Sequence, residues 1–475
     1  MYKKIFIKIL LLQSTLFSFQ TISASLILNQ NNEDLPKIYL SKNRIPQGFN
    51  SQILSNIKFV QSNKKNNLSF VSSFYLDENK AEIFEIGLIY RIKSHELLIG
   101  MIDNKDYDFL GINEHIIFGE NHEPLKKITF QSSEYLSLPF LNNISFFNNI
   151  TFTYNFSNAL LDKNYQYLWD DFYWQEAKEI YYSKEPRLHY KKVNFKYEIN
   201  ELTNFQLGLN HAAIWGGTVV NVTNDTTIVF PNDFNSLHKV IFWQSGTEEY
   251  DRNDIVGGVI GNHLGSIDFS INHDNFKYYY QHIFEDGGSF WFDNTIDGLW
   301  GMNVINKNSE SFFKEISLEF LNTKYQSGNV HPDGVDSYFW HDQYPGGWQY
   351  KGVSMGSLFI TPNQNRSKII FLSTKMKFNE KLIVNMHSGF GKIFHYYGYK
   401  GWNENVEQFF TDNYSGKYSS ILLSLKSFTK NNIQVEYNLA FEKDIDITYK
   451  DNLEKIINYK NSVFFNINLI KELSL

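Results

Sequence analysis

Cysteine is absent from the 475 residues. That excludes a disulfide scaffold, an iron–sulfur centre, a thiolate zinc site and a lipid-anchored N-terminal cysteine. Proline is scarce, at nine, and arginine is scarcer: Arg44, Arg91, Arg187, Arg252 and Arg366 are the whole set. With a net charge of −7 and no basic patch, nucleic acid is not an expected partner. No apolar window of helix-spanning length follows Phe19, so membrane integration would have to use strands. A mean hydropathy of −0.36 is likewise too low for a helical membrane protein. What the chain does carry is aromatic side chains: 42 Phe, 30 Tyr and 9 Trp, 17% of residues, too many for a disordered chain. At ~150 residues per domain, the length allows about three ordinary domains or one large all-β unit.

The first residues indicate a compartment. Tyr2-Lys3-Lys4 precede an apolar run, Ile5 to Phe19, broken by Lys8, Gln13 and Ser14. Small residues follow at Ser23, Ala24 and Ser25. This is the layout of a secretory signal peptide, residues 1–24, with cleavage after Ala24 or Ser25. The run is shorter than the ~20 apolar residues of a spanning helix. Residues 25–475 are then expected to form one exported unit.

That unit reads as strands. Phe84, Ile86, Leu88, Tyr90 and Ile92 share one parity against Glu85, Gly87, Arg91 and Lys93. The same alternation recurs at Ile150–Phe156, Val193–Ile199, Ile267–Asn272, Glu315–Phe320 and Ile433–Glu442. Period two over many segments means strands with one apolar and one polar face. Several runs reach nine residues or more, near the ~9–11 needed to cross a bilayer and longer than the ~5–6 of an average sandwich strand. Short turns such as Asn379-Glu380 and Lys430-Asn431-Asn432 contrast with long loops at 327–347 and 391–417. No repeat of solenoid length is visible. The expected fold is therefore all-β: a transmembrane antiparallel barrel of roughly 16–18 strands, by the even-number rule for bacterial barrels. Its polar face would line a water-filled lumen, and Val463–Leu469 reads as the closing strand. One segment breaks the period: Leu161, Tyr165, Leu168, Phe172 and Ile180 fall near helical spacing within 158–183, as a loop helix, a short helical plug or an irregular loop.

Catalytic motifs are missing. There is no GxSxG elbow, Walker sequence or dinucleotide fingerprint. Glu315 and Glu319 share a strand face but lie ~13 Å apart at ~3.3 Å rise per residue, too far for a glycosidase pair, and read as lumen lining. His331-Pro332-Asp333, Asp336 and His341-Asp342 carry imidazole and carboxylate without a HExxH or facial-triad layout, so no metal and no cofactor is expected. Sugars prefer flat aromatic faces beside amides and carboxylates. The 338–350 stretch supplies these around a Gly346-Gly347 turn. The candidate polysaccharide-binding residues are Trp340, His341, Asp342, Tyr344, Trp348, Glu285, Asp286 and Trp300. For Trp340 and Tyr344 binding and loop packing both stay open, while Tyr350 reads as an interfacial girdle residue.

An ordered set of motifs carries a family resemblance. These are Pro186-Arg187-Leu188-His189-Tyr190-Lys191; Gly208 through Trp215-Gly216-Gly217; Asn253-Asp254 with Gly257-Gly258; Tyr279-Tyr280-Gln281-His282-Ile283-Phe284-Glu285-Asp286; Asp297-Gly298-Leu299-Trp300-Gly301; and His341-Asp342-Gln343-Tyr344 leading to Gly347-Trp348-Gln349-Tyr350-Lys351-Gly352. Over about 186–356 the sequence resembles the Wzi-type capsule-assembly proteins. The resemblance implies a large outer-membrane barrel of a Gram-negative bacterium. It implies a non-catalytic lectin that binds capsular or exopolysaccharide and helps retain it at the surface. It also implies a plug, for which 158–183 is the only candidate segment. Such a barrel is expected to contact outer-membrane lipid and lipopolysaccharide, and the barrel-assembly machinery during insertion. A porin or sugar-uptake channel is the alternative. An outer-membrane hydrolase built on Glu285, Asp286 or the histidine loop is a further rival.

Overall fold

A computed structural model describes residues 19–474 apart from 31–34, 45, 47–52, 64–66, 104–108, 114, 120, 154–166, 171–177, 222–224, 245–259, 286, 293, 327–337, 342–343, 345, 363, 395–414, 430–432 and 450–454. The alternating segments form its wall. In chain order the wall strands are β1 Phe19–Gln30, β2 Ile53–Asn63, β3 Leu68–Leu76, β4 Ala81–Ile92, β5 His95–Met101, β6 Lys126–Ser132, β7 Leu141–Thr153, β8 Arg187–Asn200 and β9 Thr203–Trp215. There follow β10 Asn262–His273, β11 Phe276–Phe284, β12 Gly298–Ile305, β13 Phe313–Asn322, β14 Arg366–Asn379, β15 Leu382–Phe394, β16 Ser415–Phe428, β17 Ile433–Tyr449 and β18 Lys455–Ser474. The sheet has 19 segments, of which Leu136–Leu138 only extends β6 along β7, so the wall has 18 strands. Every neighbouring pair is antiparallel, and β1 closes on β18 from Thr21↔Ser474 to Gln30↔Phe465. Residues 1–24, read as a leader, overlap β1; the pairs from Ser25 to Gln30 lie beyond that boundary.

Parity assigns the faces as alternation predicts. Leu88, Tyr90, Ile92, Phe195, Tyr197, Ile199, Leu318, Tyr437 and Phe441 are exposed on the outside. Glu85, Asn194, Ser317, Glu319, Glu436, Asn438 and Glu442 point inward, and all but Asn194 are buried. Connections also sort by end. Those at 64–67, 93–94, 133–140, 201–202, 274–275, 306–312, 380–381 and 429–432 are short, and they share one end. The other end carries the long connections 31–52, 102–125, 154–186, 216–261, 285–297, 323–365 and 395–414, together with two short ones, 77–80 and 450–454. Outer-membrane barrels place short turns toward the periplasm, so the long loops face outward.

The lumen corrects one expectation. It is not simply water-filled: three of the long connections turn inward and pack a core inside it. Among the described residues, a contiguous buried cluster joins Ile38 and Tyr39 of helix α1 (Lys37–Leu40), Ile112, Ile116, Ile117 and Phe118 of the 102–125 loop, and Trp348, Met355 and Phe359 of the 323–365 loop. It meets wall residues from Leu188 on β8 through Phe464 on β18. The plug expected at 158–183 differs too. Its described parts, Tyr167–Asp170 and Lys178–Lys184, are strands, paired with each other and then with Thr218–Asn221 and Thr226–Val229. Aromatic and β-branched residues such as Tyr167, Trp169, Ile180, Tyr181 and Tyr182 favour that pleated state over a helix.

A closed wall of this length resists detergent until heated. The unboiled chain should therefore migrate on a denaturing gel apart from the boiled chain; identical migration would contradict the closed barrel.

Candidate functional site

The inward loops are irregular chain inside a barrel, so each buried backbone N–H needs an acceptor. Wall side chains supply several. Glu442 on β17 accepts from Lys37 N at 2.9 Å and Ile38 N at 3.0 Å, and the Tyr418 hydroxyl donates to it at 2.9 Å. It thus serves the first N–H groups of α1, whose preceding residue, Pro36, has no side-chain cap. Glu319 on β13 accepts from Ile112 N at 2.5 Å, Asn113 N at 3.2 Å and the Tyr279 hydroxyl at 2.8 Å. Gln281 Oε1 on β11 accepts from Ile116 N at 2.7 Å. Tyr279 reaches Glu319 because its neighbour across the ladder is Gly301: a Cβ there would stand 1.9 Å from the ring.

The two larger inward loops also bind each other. Gly119 N donates to Met355 O and Ser357 N to Ile116 O, both at 2.9 Å. Trp348 Nε1 donates to Ile117 O at 2.5 Å, and Ser357 Oγ to Asn113 Oδ1 at 2.6 Å. Lys351 pairs with Glu123 at 2.5 Å and reaches Glu82 on β4 at 3.4 Å, while Arg44 pairs with Asp103 at 2.6 Å. His122, buried in the same packing, is held neutral: burial pushes its imidazole down to about 3.

The candidate glycan residues separate on this framework. Tyr344 and Trp348 are fully buried; Trp348 belongs to the core, and the Tyr344 hydroxyl donates to Gly216 O at 3.2 Å. Tyr350 is buried as well, its ring edge-on to His122 at 5.6 Å, so it is not a girdle residue. Gln349–Tyr350 forms a small hairpin with Val353–Ser354, apart from the wall. Trp300 lies on the outer wall, stacked on Tyr280 at 3.9 Å, and lines a shallow lipid-facing groove of about 500 Å³ with Phe269, Tyr278 and Phe320. Trp340 and His341 are half-buried on the long-loop side, with the His341 ring 5.7 Å from Tyr344. Glu285 Oε1 accepts from Phe339 N at 2.7 Å, tying the β11–β12 connection to the inward loop. Asp342 and Asp286 lie outside the described residues, as do His331, Asp333 and Asp336. Among the described residues no cluster of three His, Asp or Glu could hold a metal.

The Gly346-Gly347 turn is conformational, as its sequence indicates. Gly347 has φ +54°, and a Cβ there would stand 1.8 Å from Phe339 O. Gln281 falls within the Tyr279–Asp286 motif and Glu319 on a lumen-facing strand parity, but neither feature marks them, or Glu442, as acceptors for loop amides. The usable signal is Ile112, Ile116, Ile117 and Phe118: an apolar cluster in a loop without strand periodicity has to be buried somewhere.

No protein-family model matches the sequence, and no curated protein matches it. Solved structures do match. Wzi, an outer membrane protein of Escherichia coli involved in group 1 capsule assembly and a carbohydrate-binding β-barrel, aligns with a TM-score of 0.58 at 11% identity over 96% of this chain and 85% of that one. This chain has the Wzi barrel fold. OccK5 (OpdH) of Pseudomonas aeruginosa aligns at 0.43 and 7% identity over 96% and 97% of the two chains. OccK3 (OpdO) of the same organism aligns at 0.42 and 8%, over 96% of each. The architecture is that of a Gram-negative outer-membrane β-barrel.

Two outcomes follow from the latches. Ser354 is buried with an unpartnered Oγ, so Ser354→Cys in this cysteine-free chain is a thiol reporter inside the lumen. Adding Glu319→Leu should raise its maleimide labelling about tenfold or more, since each hydrogen bond to a charged group contributes ~1.5–3 kcal/mol; an unchanged rate would remove the latch role. Asp297, just before β12, accepts from Gln326 N at 2.6 Å, Tyr325 N at 3.1 Å and the Tyr338 hydroxyl at 3.1 Å. Burial pushes its carboxyl up from 3.8 to about 6. A raised folded-state value favours the protonated form, so stability rises as pH falls through about 6 towards 3.8. Asp297→Asn should flatten that part of the unfolding-temperature profile; a profile identical to the parent would contradict the assignment.

Proposed function

We propose that this chain is a non-catalytic outer-membrane barrel that binds capsular or exopolysaccharide and helps retain it at the cell surface. The observation that carries the reading is the latched lumen. Inward loops held by Glu319, Glu442 and Gln281 offer a fixed floor beneath the long-loop end. The carbohydrate binding of the Wzi barrel supports the choice of ligand class. In this reading Trp340 and His341, with Asp342, Glu285 and Asp286, meet the glycan, while Tyr344 and Trp348 brace them from below. Trp300 serves the lipid face. The reading leaves catalysis out, and the Glu285 carboxylate, accepting from Phe339 N, serves in it to tie the β11–β12 connection to the inward loop. Export through a leader of residues 1–24 belongs to the same proposal.

Deleting the gene should release polysaccharide into the medium with total synthesis unchanged, and Trp340→Ala with His341→Ala should reproduce part of that release. Unchanged surface retention in the deletion strain would overturn the reading. The purified chain should be electrically silent in planar bilayers, where a sustained open conductance would favour the porin alternative.

A further inference from the structure

Outside the wall, the long β9–β10 connection builds a second feature that the lumen does not use. Helix α2, Phe234–Ile241, is capped by Asp233, whose Oδ1 accepts from Ser236 N at 2.8 Å. Its inner side packs Val240 and Leu237 on Ala213 and Trp215. Those two β9 residues share parity with the exposed Leu207 and Leu209, so the helix lies on the lipid-facing surface. It lies where β9 runs into a long connection, at the outward rim. Its opposite side is a ridge spaced four residues apart: Phe234, His238 and Phe242. Phe234 is 84% exposed and Phe242 61%, and the His238 and Phe242 rings are 4.8 Å apart.

Cations flank this ridge. Lys191 has the outward parity of β8; its ammonium donates to Ile241 O at the helix end and lies 5.9 Å from the Phe242 ring. Arg187, four residues earlier on the same face, donates to Asn232 O at 2.8 Å and lies over Trp215 at 5.3 Å. Lys239 sits on the helix itself, partly exposed. Among the described residues, the nearby carboxylates are Asp233, engaged as the cap, and Glu185 in the turn before β8. The wall ladder under the helix is complete from Ile214↔Asn262 onward, so the helix is not needed to close the barrel.

An aromatic ridge continuous with the hydrocarbon belt, with three cations at the level where that belt ends, has the chemistry of an anionic amphiphile site. Interfacial amphipathic helices bind by this combination of apolar burial and charge. The long-loop end identifies the leaflet. We propose that α2 with Arg187, Lys191 and Lys239 is a docking site for the phosphorylated glycolipid of the outer leaflet. Its acyl chains lie along Phe234 and Phe242, and its phosphates meet the three cations.

Native mass spectrometry of the full chain in mild detergent, with diphosphoryl lipid A as probe, tests this. The parent chain should retain lipid A and release phosphatidylethanolamine. Arg187→Gln and Lys239→Gln should each lower retention about fivefold, the worth of one basic residue at an anionic surface. Phe234→Ser with Phe242→Ser should also lower it, whereas Lys307→Gln at the short-turn end should not. Heat-dependent migration must persist in every variant used. Equal retention by the α2 variants, or equal retention of phosphatidylethanolamine by the parent, would overturn the site. So would a dimer of the parent chain that Phe234→Ser with Phe242→Ser dissolves, because the ridge would then belong to a second copy.

Discussion

Everything inside this barrel depends on one requirement: a loop folded into a lumen brings backbone N–H groups away from water, and each needs an acceptor. Regular strands satisfy their own. The inward loops have no such ladder, and an orphaned amide would cost ~1–3 kcal/mol. Inward-facing carboxylates on β13 and β17 meet that need, each serving two consecutive amides and a tyrosine hydroxyl. The apolar cluster around Trp348 then contributes on the order of 1.5–3 kcal/mol for each large side chain buried. Without the carboxylates the same cluster would have to form on unsatisfied backbone.

The wall was readable from the sequence because its signal is local. Parity at Val193–Ile199 or Ile433–Glu442 depends on neighbouring residues, and it assigned inner and outer faces correctly. The core was not readable, because its partners are far apart in the chain. Glu319 was placed on the correct face as lumen lining, yet its partners Ile112 and Asn113 lie 207 and 206 residues away. Tyr350, which reads as a girdle aromatic, differs for the same reason: the buried His122 ring it packs against is far away in the chain. The segment at 158–183, which reads equally as a helix or an irregular loop, has described parts that pair as strands.

The distribution of aromatics now has three destinations rather than one lipid face. Phe195, Tyr197 and Phe441 meet lipid; Tyr39, Trp348 and Phe359 fill the lumen; Phe234, Phe242 and Trp243 sit with the outer rim. Glycines at 301 and 347 mark where such side chains or backbone come closest. A polar average composition therefore conceals two apolar volumes separated by one layer of wall.

Helix α1 follows directly on β1, near the start of the chain, but the carboxylate that receives its amides is Glu442, 405 and 404 residues further on. The strand that closes the wall, β18, comes later still and pairs with β1. Seating α1 and completing the cylinder are thus assigned to the same last hairpin. A chain stopped short of β17 lacks the acceptor and the closing strand together, so α1 gains its carboxylate partner at the stage where the cylinder becomes able to close.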